Sequence, residues 1–153
     1  MADIKWQIRY LRLAQHISEW SKDPSTKVGA VAVGQHGQIL SQGYNGFPRG
    51  VTDLEDRLEV RDSKYLYTIH AEMNCVFNAS LSGVSLYGSS MYVYGLPICH
   101  ECAKGVIQSG VKKVYCAHET PLSERWIDSW NISRGMFMET GVYHELFDID
   151  QLK

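Results

Sequence analysis

The chain has 153 residues, 44% hydrophobic and 21% charged, with 15 basic against 17 acidic side chains and a net charge of −2. This is an ordinary globular composition for one domain over 1–153, long enough to bury a core without disulfide staples. It lacks the basic excess that a binder of long nucleic acid relies on, and no apolar run approaches the roughly 18 residues of a membrane span. The opening residues, Met1-Ala2-Asp3-Ile4-Lys5-Trp6, show no signal-peptide pattern, and four cysteines are too few for a disulfide framework. Both features point to a reducing, cytoplasmic setting.

In chain order, Ile4, Ile8, Leu11, Ala14 and Ile17 fall at steps of three and four and predict an amphipathic helix over 4–20, with Asp3 as its N-cap. Val28-Gly29-Ala30-Val31-Ala32-Val33 reads as a buried strand, Gly34 to Gly37 as a turn, and Gln38 to Tyr44 as a strand pairing back. Residues 45–64 are charged and read as irregular; a loop this long in a small domain is usually functional or mobile. A helix over 70–80, a strand from Ser90 to Leu96, a helix from Cys102 to Ser109 and a strand from Val111 to Cys116 follow. A helix over 121–140, stopped by Gly141, and a strand from Val142 to Phe147 complete the order. Strands alternating with helices imply parallel neighbours in the second half, and the first hairpin makes the sheet mixed, so an α/β fold is expected with helices covering a five-stranded sheet.

Two short motifs carry chemistry. His70-Ala71-Glu72 opens one predicted helix and Cys99-His100-Glu101-Cys102 opens another. One imidazole and two thiolates are ligands of the right softness for Zn²⁺, and three protein ligands with one open position mark a catalytic rather than a structural zinc. Helix N-termini favour thiolate at Cys99 and Cys102. Glu72, two residues beyond His70, is placed to take a proton from a water at the metal. The blander alternatives are a redox C-x-x-C pair, without the usual sequence context, or a four-ligand structural zinc. The latter needs His100, which should point away from the cysteines' ion, or Cys75 or Cys116. Cys75 lies about 140° round the helix from His70. Cys75 and Cys116 read as buried apolar thiols.

These motifs resemble the zinc deaminase signature H-x-E with C-x-x-C. Trp20-Ser21-Lys22-Asp23-Pro24-Ser25-Thr26-Lys27-Val28-Gly29-Ala30, Gly43-Tyr44-Asn45-Gly46-Phe47-Pro48-Arg49-Gly50 and His70-Ala71-Glu72-Met73-Asn74 narrow the likeness. Over roughly residues 8–117 the chain resembles the deoxycytidylate (dCMP) deaminases of the zinc-dependent cytidine/deoxycytidylate deaminase superfamily. The resemblance implies a cytidine deaminase-like three-layer fold and hydrolysis of dCMP to dUMP and ammonia. Water activated at the zinc would attack C4 and Glu72 would shuttle the proton. It also implies that the backbone at Ala71 holds the base edge, that Asn45 contacts the sugar, and that the segment of Ser21, Lys22 and Lys27 meets the 5′-phosphate. That last match agrees with the need of a phosphate for clustered cations and hydroxyls, which Ser21, Lys22, Ser25, Thr26 and Lys27 offer within seven residues. Read without the resemblance, Asp23-Pro24-Ser25 is a turn and Lys22 a solvated charge. Arg49, Arg57, Arg61 and Lys64 are further cation candidates.

The chain departs from the family pattern where Ile98 separates Pro97 from Cys99, so the loop entering the site should differ. The segment from Val51 to Tyr67 has no cysteine, which argues against a second, structural zinc and leaves allosteric control by dCTP or dTTP open. Alternative readings are a zinc deaminase acting on another cytosine nucleotide, a nucleoside or a free base such as cytosine or guanine, or a non-catalytic zinc module, which would have no need of Glu72. Trp126, Trp130, Met136, Phe137 and Met138 give the last helix more apolar bulk than one buried stripe needs. A homo-oligomer is therefore expected, a hexamer by resemblance; the blander alternative is that these residues complete the monomer core.

Overall fold

A computed structural model describes residues 4–153; the proposed cap at Asp3 lies outside the described residues. The first helix, α1 (Lys5–Ser18), turns Leu11, Ala14 and Ile17 inward, as its three-four spacing requires. Strand β1 (Gly29–Val33) is buried along its whole length and β2 (Ile39–Tyr44) runs antiparallel to it. Beyond come α4 (Ala71–Leu81), β3 (Ser90–Gly95), α5 (His100–Gln108), β4 (Lys113–His118), α6 (Glu124–Thr140) and β5 (Tyr143–Asp148). The sheet order is β2-β1-β3-β4-β5, with β1 antiparallel to β3 and the β3, β4 and β5 neighbours parallel. The mixed five-stranded sheet expected from the element order is therefore present.

Alternation along the strands divides the interior in two. Val31, Val33, Tyr92, Tyr115 and Phe147 face α1, while Ala30, Ala32, Met91, Val93, Val114 and Cys116 face α4, α5 and α6. Three layers result, with apolar side chains on both faces of the sheet, which explains why β1 reads as a continuous apolar run rather than an alternating one. Two glycines allow helices to lie directly on strands. A Cβ on Gly29 would sit 2.0 Å from the Ala14 carbonyl oxygen of α1, and one on Gly43 would sit 2.4 Å from the Cys75 amide nitrogen of α4.

The structure differs from the sequence expectation in several places: β4 runs Lys113–His118 rather than 111–116, and α5 starts at His100 rather than 102. The segment 45–64 is not irregular throughout: it contains the short helices α2 (Glu55–Glu59) and α3 (Arg61–Tyr67). Among the side chains of these two helices only Lys64 is buried, so no apolar periodicity announces them. Helix α6 begins at Glu124 rather than 121, after Pro121 and with Ser123 as its first flanking residue. A 3₁₀ turn over Ile149–Leu152 closes the chain, capped by Asp148 and packing Leu152 beneath α1.

Candidate metal centre and its cavity

Helices α4 and α5 both start at one end of the sheet. Their N-cap residues are His70 and Cys99, each in extended backbone immediately before the first turn. The imidazole Nδ1 of His70 lies 3.3 Å from Cys99 Sγ and 3.3 Å from Cys102 Sγ. The Cys102 amide donates to Cys99 Sγ at 3.4 Å, so one of the free N–H groups of α5's first turn points at a sulfur. Among the described residues, His70, Cys99 and Cys102 form a group of metal-type ligands whose donor atoms all lie within 4.8 Å of one another.

The donor set fits zinc. With Zn–S near 2.3 Å and Zn–N near 2.0–2.1 Å, a tetrahedral N–S edge is about 3.5 Å, close to the two contacts from His70. The protonation of the cluster points the same way. The neighbouring Cys102 and His70 hold the Cys99 thiol well below its ordinary range, and the Cys99 sulfur in turn raises His70 to about 9. Cys102 is pushed above the ordinary thiol range, because ionising it would break its bond to Cys99 and add a second negative charge to a buried site. A divalent cation removes that conflict by holding both sulfurs as thiolates.

Ile98 is accommodated by burial. Its side chain is in the core, and its carbonyl oxygen accepts a hydrogen bond from Ser133 Oγ of α6 at 2.8 Å. Cys99 therefore remains the cap of α5 despite the extra residue. His100 turns to Ser129, with Nδ1 2.9 Å from its hydroxyl, and away from the sulfurs. Cys75 and Cys116 are fully buried in the core.

A cavity of about 210 Å³ opens over the ligands, with Glu72, Ala71, His70 and Cys99 at its base. Glu72 is buried, and burial pushes its carboxyl up to about 7 against the opposing pull of His70. Asn45 lines the wall; its Oδ1 accepts from the Val28 amide at 2.9 Å and its Nδ2 donates to the Thr26 carbonyl at 2.8 Å. One Nδ2 proton and one Oδ1 lone pair are left over from those two bonds. Trp126 of α6 closes one side, and the mouth carries Arg61, Lys64 and Arg125. Arg125 donates to the Tyr65 hydroxyl and its guanidinium lies 4.8 Å from the Trp126 ring centre.

The expected phosphate loop reaches the cavity only in part. Ser21, Lys22 and Lys27 do not line this cavity, which instead takes Ser25 and Thr26 from the same loop. The Ser21 hydroxyl is buried and donates to the Asn45 carbonyl at 2.8 Å. Lys27 Nζ donates to the Ser21 carbonyl, and Lys22 Nζ pairs with Asp53 Oδ2 at 2.8 Å on the outside. Lys27 thus braces the loop internally, while Ser21 and Lys22 tie it to Asn45 and Asp53. The cations at the mouth come from α3 and α6 instead. Arg61 and Lys64 stood among the candidates; Arg125 and Trp126 carry no local motif, and only the packing of α6 on α5 brings them to the mouth.

Residues 4–118 match the model of the cytidine and deoxycytidylate deaminase zinc-binding region. Over 150 residues the chain is 41% identical to an uncharacterized deaminase encoded in the luxG 3′ region of Aliivibrio fischeri, covering 97% of this chain and 98% of that protein. It is 36% identical to the deoxycytidylate deaminase of Mus musculus, covering 94% of this chain and 80% of the mouse protein. A crystal structure of dCMP deaminase from the cyanophage S-TIM5 in complex with dCMP and dUMP superposes with a TM-score of 0.75 at 29% identity, covering 96% of this chain and all of that one. The chain belongs to the zinc-binding cytidine and deoxycytidylate deaminase family.

Proposed function

We infer that the protein hydrolyses dCMP to dUMP and ammonia, with zinc held by His70, Cys99 and Cys102. The observation that carries this reading is the convergence of the His70 Nδ1 and the two sulfurs at the base of a cavity that also holds Glu72 and Asn45. The mouse relative named as a deoxycytidylate deaminase and the phage structure holding dCMP and dUMP support the same substrate. Bound zinc supplies the Lewis acidity that makes a water nucleophilic near neutral pH. Glu72, on the first turn of α4, takes a proton from the attacking water and gives it to N3 of the cytosine, and then moves a proton to the departing amine. A C4–O bond forms, the C4–N bond breaks, and one water is consumed for each ammonia released. The backbone at Ala71, in the first turn of α4, holds the base edge, and the remaining hydrogen-bonding capacity of Asn45 meets the sugar. Arg61 and Arg125, with Ser25 and Thr26 in the same cavity lining, supply cations and donors for a 5′-phosphate.

The test is Glu72→Gln, which keeps the shape and removes the proton carrier. Zinc content and fold should be unchanged while kcat for dCMP falls by about 10²-fold or more. Appreciable residual turnover removes Glu72 from the mechanism. A homo-oligomer is supported by Ile127, Ile132 and Met138, which α6 leaves exposed; a 17 kDa species alone in light scattering sinks that expectation. A cytoplasmic setting is supported by four free cysteines, two of them in the metal cluster. No helix among the described residues is long and apolar enough to cross a membrane.

A further inference from the structure

The flap formed by α2 and α3 stands over the cavity with only a light apolar anchor, half-buried Leu58 and Tyr67, the latter packed on Phe47 with ring centres 5.6 Å apart. Leu54, Val60 and Leu66 are exposed, and the one buried side chain on the two helices is a lysine, Lys64. Its ammonium lies 3.1 Å from Asp23 Oδ1, with both side chains 10% exposed or less, and 3.4 Å from Ser25 Oγ. The same Asp23 oxygen accepts from the amides of Ser25 at 2.8 Å and Thr26 at 3.1 Å. The Asp23 amide in turn donates to Ser21 Oγ at 3.2 Å, and Ser21 Oγ donates to the Asn45 carbonyl. One carboxylate oxygen thus joins the flap to the turn that supplies Ser25 and Thr26 to the cavity lining.

We propose that Asp23 and Lys64 form a positioning clasp that holds the α2–α3 flap, and with it Arg61, against the Ser25–Thr26 wall at the phosphate end of the nucleotide site. The inference rests on the reading of the cavity as a nucleotide monophosphate site. Neither residue acts on the reacting atoms. Lys64 works through Asp23, and Asp23 through the two amides it holds. A buried lysine whose partner is removed leaves a buried charge without compensation, so the pair makes or breaks as a unit. The cavity's cations then face a phosphate only when the clasp is closed. Neither Asp23 nor Lys64 is hydrogen-bonded to Glu72 or to a metal ligand, so the chemical step itself should be little affected.

A double-mutant cycle tests the clasp. Lys64→Met and Asp23→Asn should each raise KM for dCMP about tenfold or more while kcat stays within about threefold. The Lys64→Met/Asp23→Asn variant should raise KM no further than either single change, because both remove one shared interaction. For deoxycytidine, which lacks the phosphate, KM should be nearly the same in all four proteins. Amide hydrogen exchange gives a readout that does not depend on turnover. Exchange should quicken in residues 23–26 and 55–67 together in both single variants, and Lys64→Arg should restore much of the protection. Additive KM effects mean that Lys64 contacts the ligand directly, and unchanged exchange in 23–26 means that no clasp exists; either result overturns the proposal. If wild-type protein turns over no dCMP, the nucleotide reading fails, whereas the exchange result still judges the clasp.

Discussion

The contact between β2 and α4 can be probed with one methyl group. In Gly43→Ala the added Cβ would lie 2.4 Å from the Cys75 amide nitrogen, 2.6 Å from the Ala71 carbonyl oxygen and 2.7 Å from the Asn74 carbonyl carbon. All three are backbone atoms of α4 and cannot rotate aside, so α4 must draw back from the strand by about an ångström to reach ordinary contact. Overpacking of this kind costs about 1–3 kcal/mol, a Tm drop on the order of 5 °C for a chain of this length. The larger effect falls on the site, since His70 caps α4 and Ala71 and Glu72 occupy its first turn. Metal–ligand distances tolerate about 0.2 Å, and a 1 Å misplacement of reacting groups costs on the order of 10²-fold in rate. Competition with a chromogenic chelator should show zinc bound at least tenfold more weakly, and turnover should fall by about 10²-fold with the protein still folded. A variant that loses Tm but keeps wild-type zinc affinity and rate shows that the strand does not set the position of His70, and that result refutes the reasoning.

Ser133→Ala removes the hydroxyl that holds the Ile98 carbonyl. It should cost about 1–3 kcal/mol in urea unfolding, and an unchanged midpoint means that the loop needs no tie. Burial pushes the Cys75 and Cys116 thiols up to about 12 from an ordinary value of 9.0. Above pH 9 the unfolded chain therefore gives up protons that the folded chain keeps, and stability falls with rising pH by about 1.4 kcal/mol per unit for each thiol. Cys75→Ala and Cys116→Ala should each flatten the alkaline slope in urea unfolding between pH 8 and 10.5, and slopes equal to wild type contradict the assignment. Chelation should lower Tm, because only the folded chain assembles the His70, Cys99 and Cys102 cluster, and added zinc should restore it; a Tm indifferent to zinc excludes a bound metal at this site.

Some of this was legible in the sequence because chemistry and local backbone coincide there. His70 and Cys99 both cap helices, so their short motifs fix the residue types and the direction of approach together. The β1 run Gly29 to Val33 declares itself because apolar side chains cover both faces of the sheet. Helices α2 and α3 are silent because they bury little apolar surface and are held in part by a buried charge pair, and Lys64 in a charged stretch looks like any solvated lysine. Ser21 and Lys27 have the composition of a phosphate loop, but only the fold shows that they hydrogen-bond to Asn45 and to each other. Arg125 and Trp126 reach the cavity through the packing of α6, for which local sequence offers no sign.

The most direct measurement is ammonia release by the zinc-loaded protein from dCMP, CMP, deoxycytidine, cytosine and guanine in parallel, with and without dCTP. Turnover strongest on dCMP and weak on deoxycytidine is the expected result, since it requires both the metal cluster and the cations at the mouth. Equal rates on dCMP and deoxycytidine would keep the zinc chemistry and remove the phosphate role of Arg61 and Arg125. No ammonia from any of the five substrates, with one zinc bound per chain, would contradict the assignment as a dCMP deaminase.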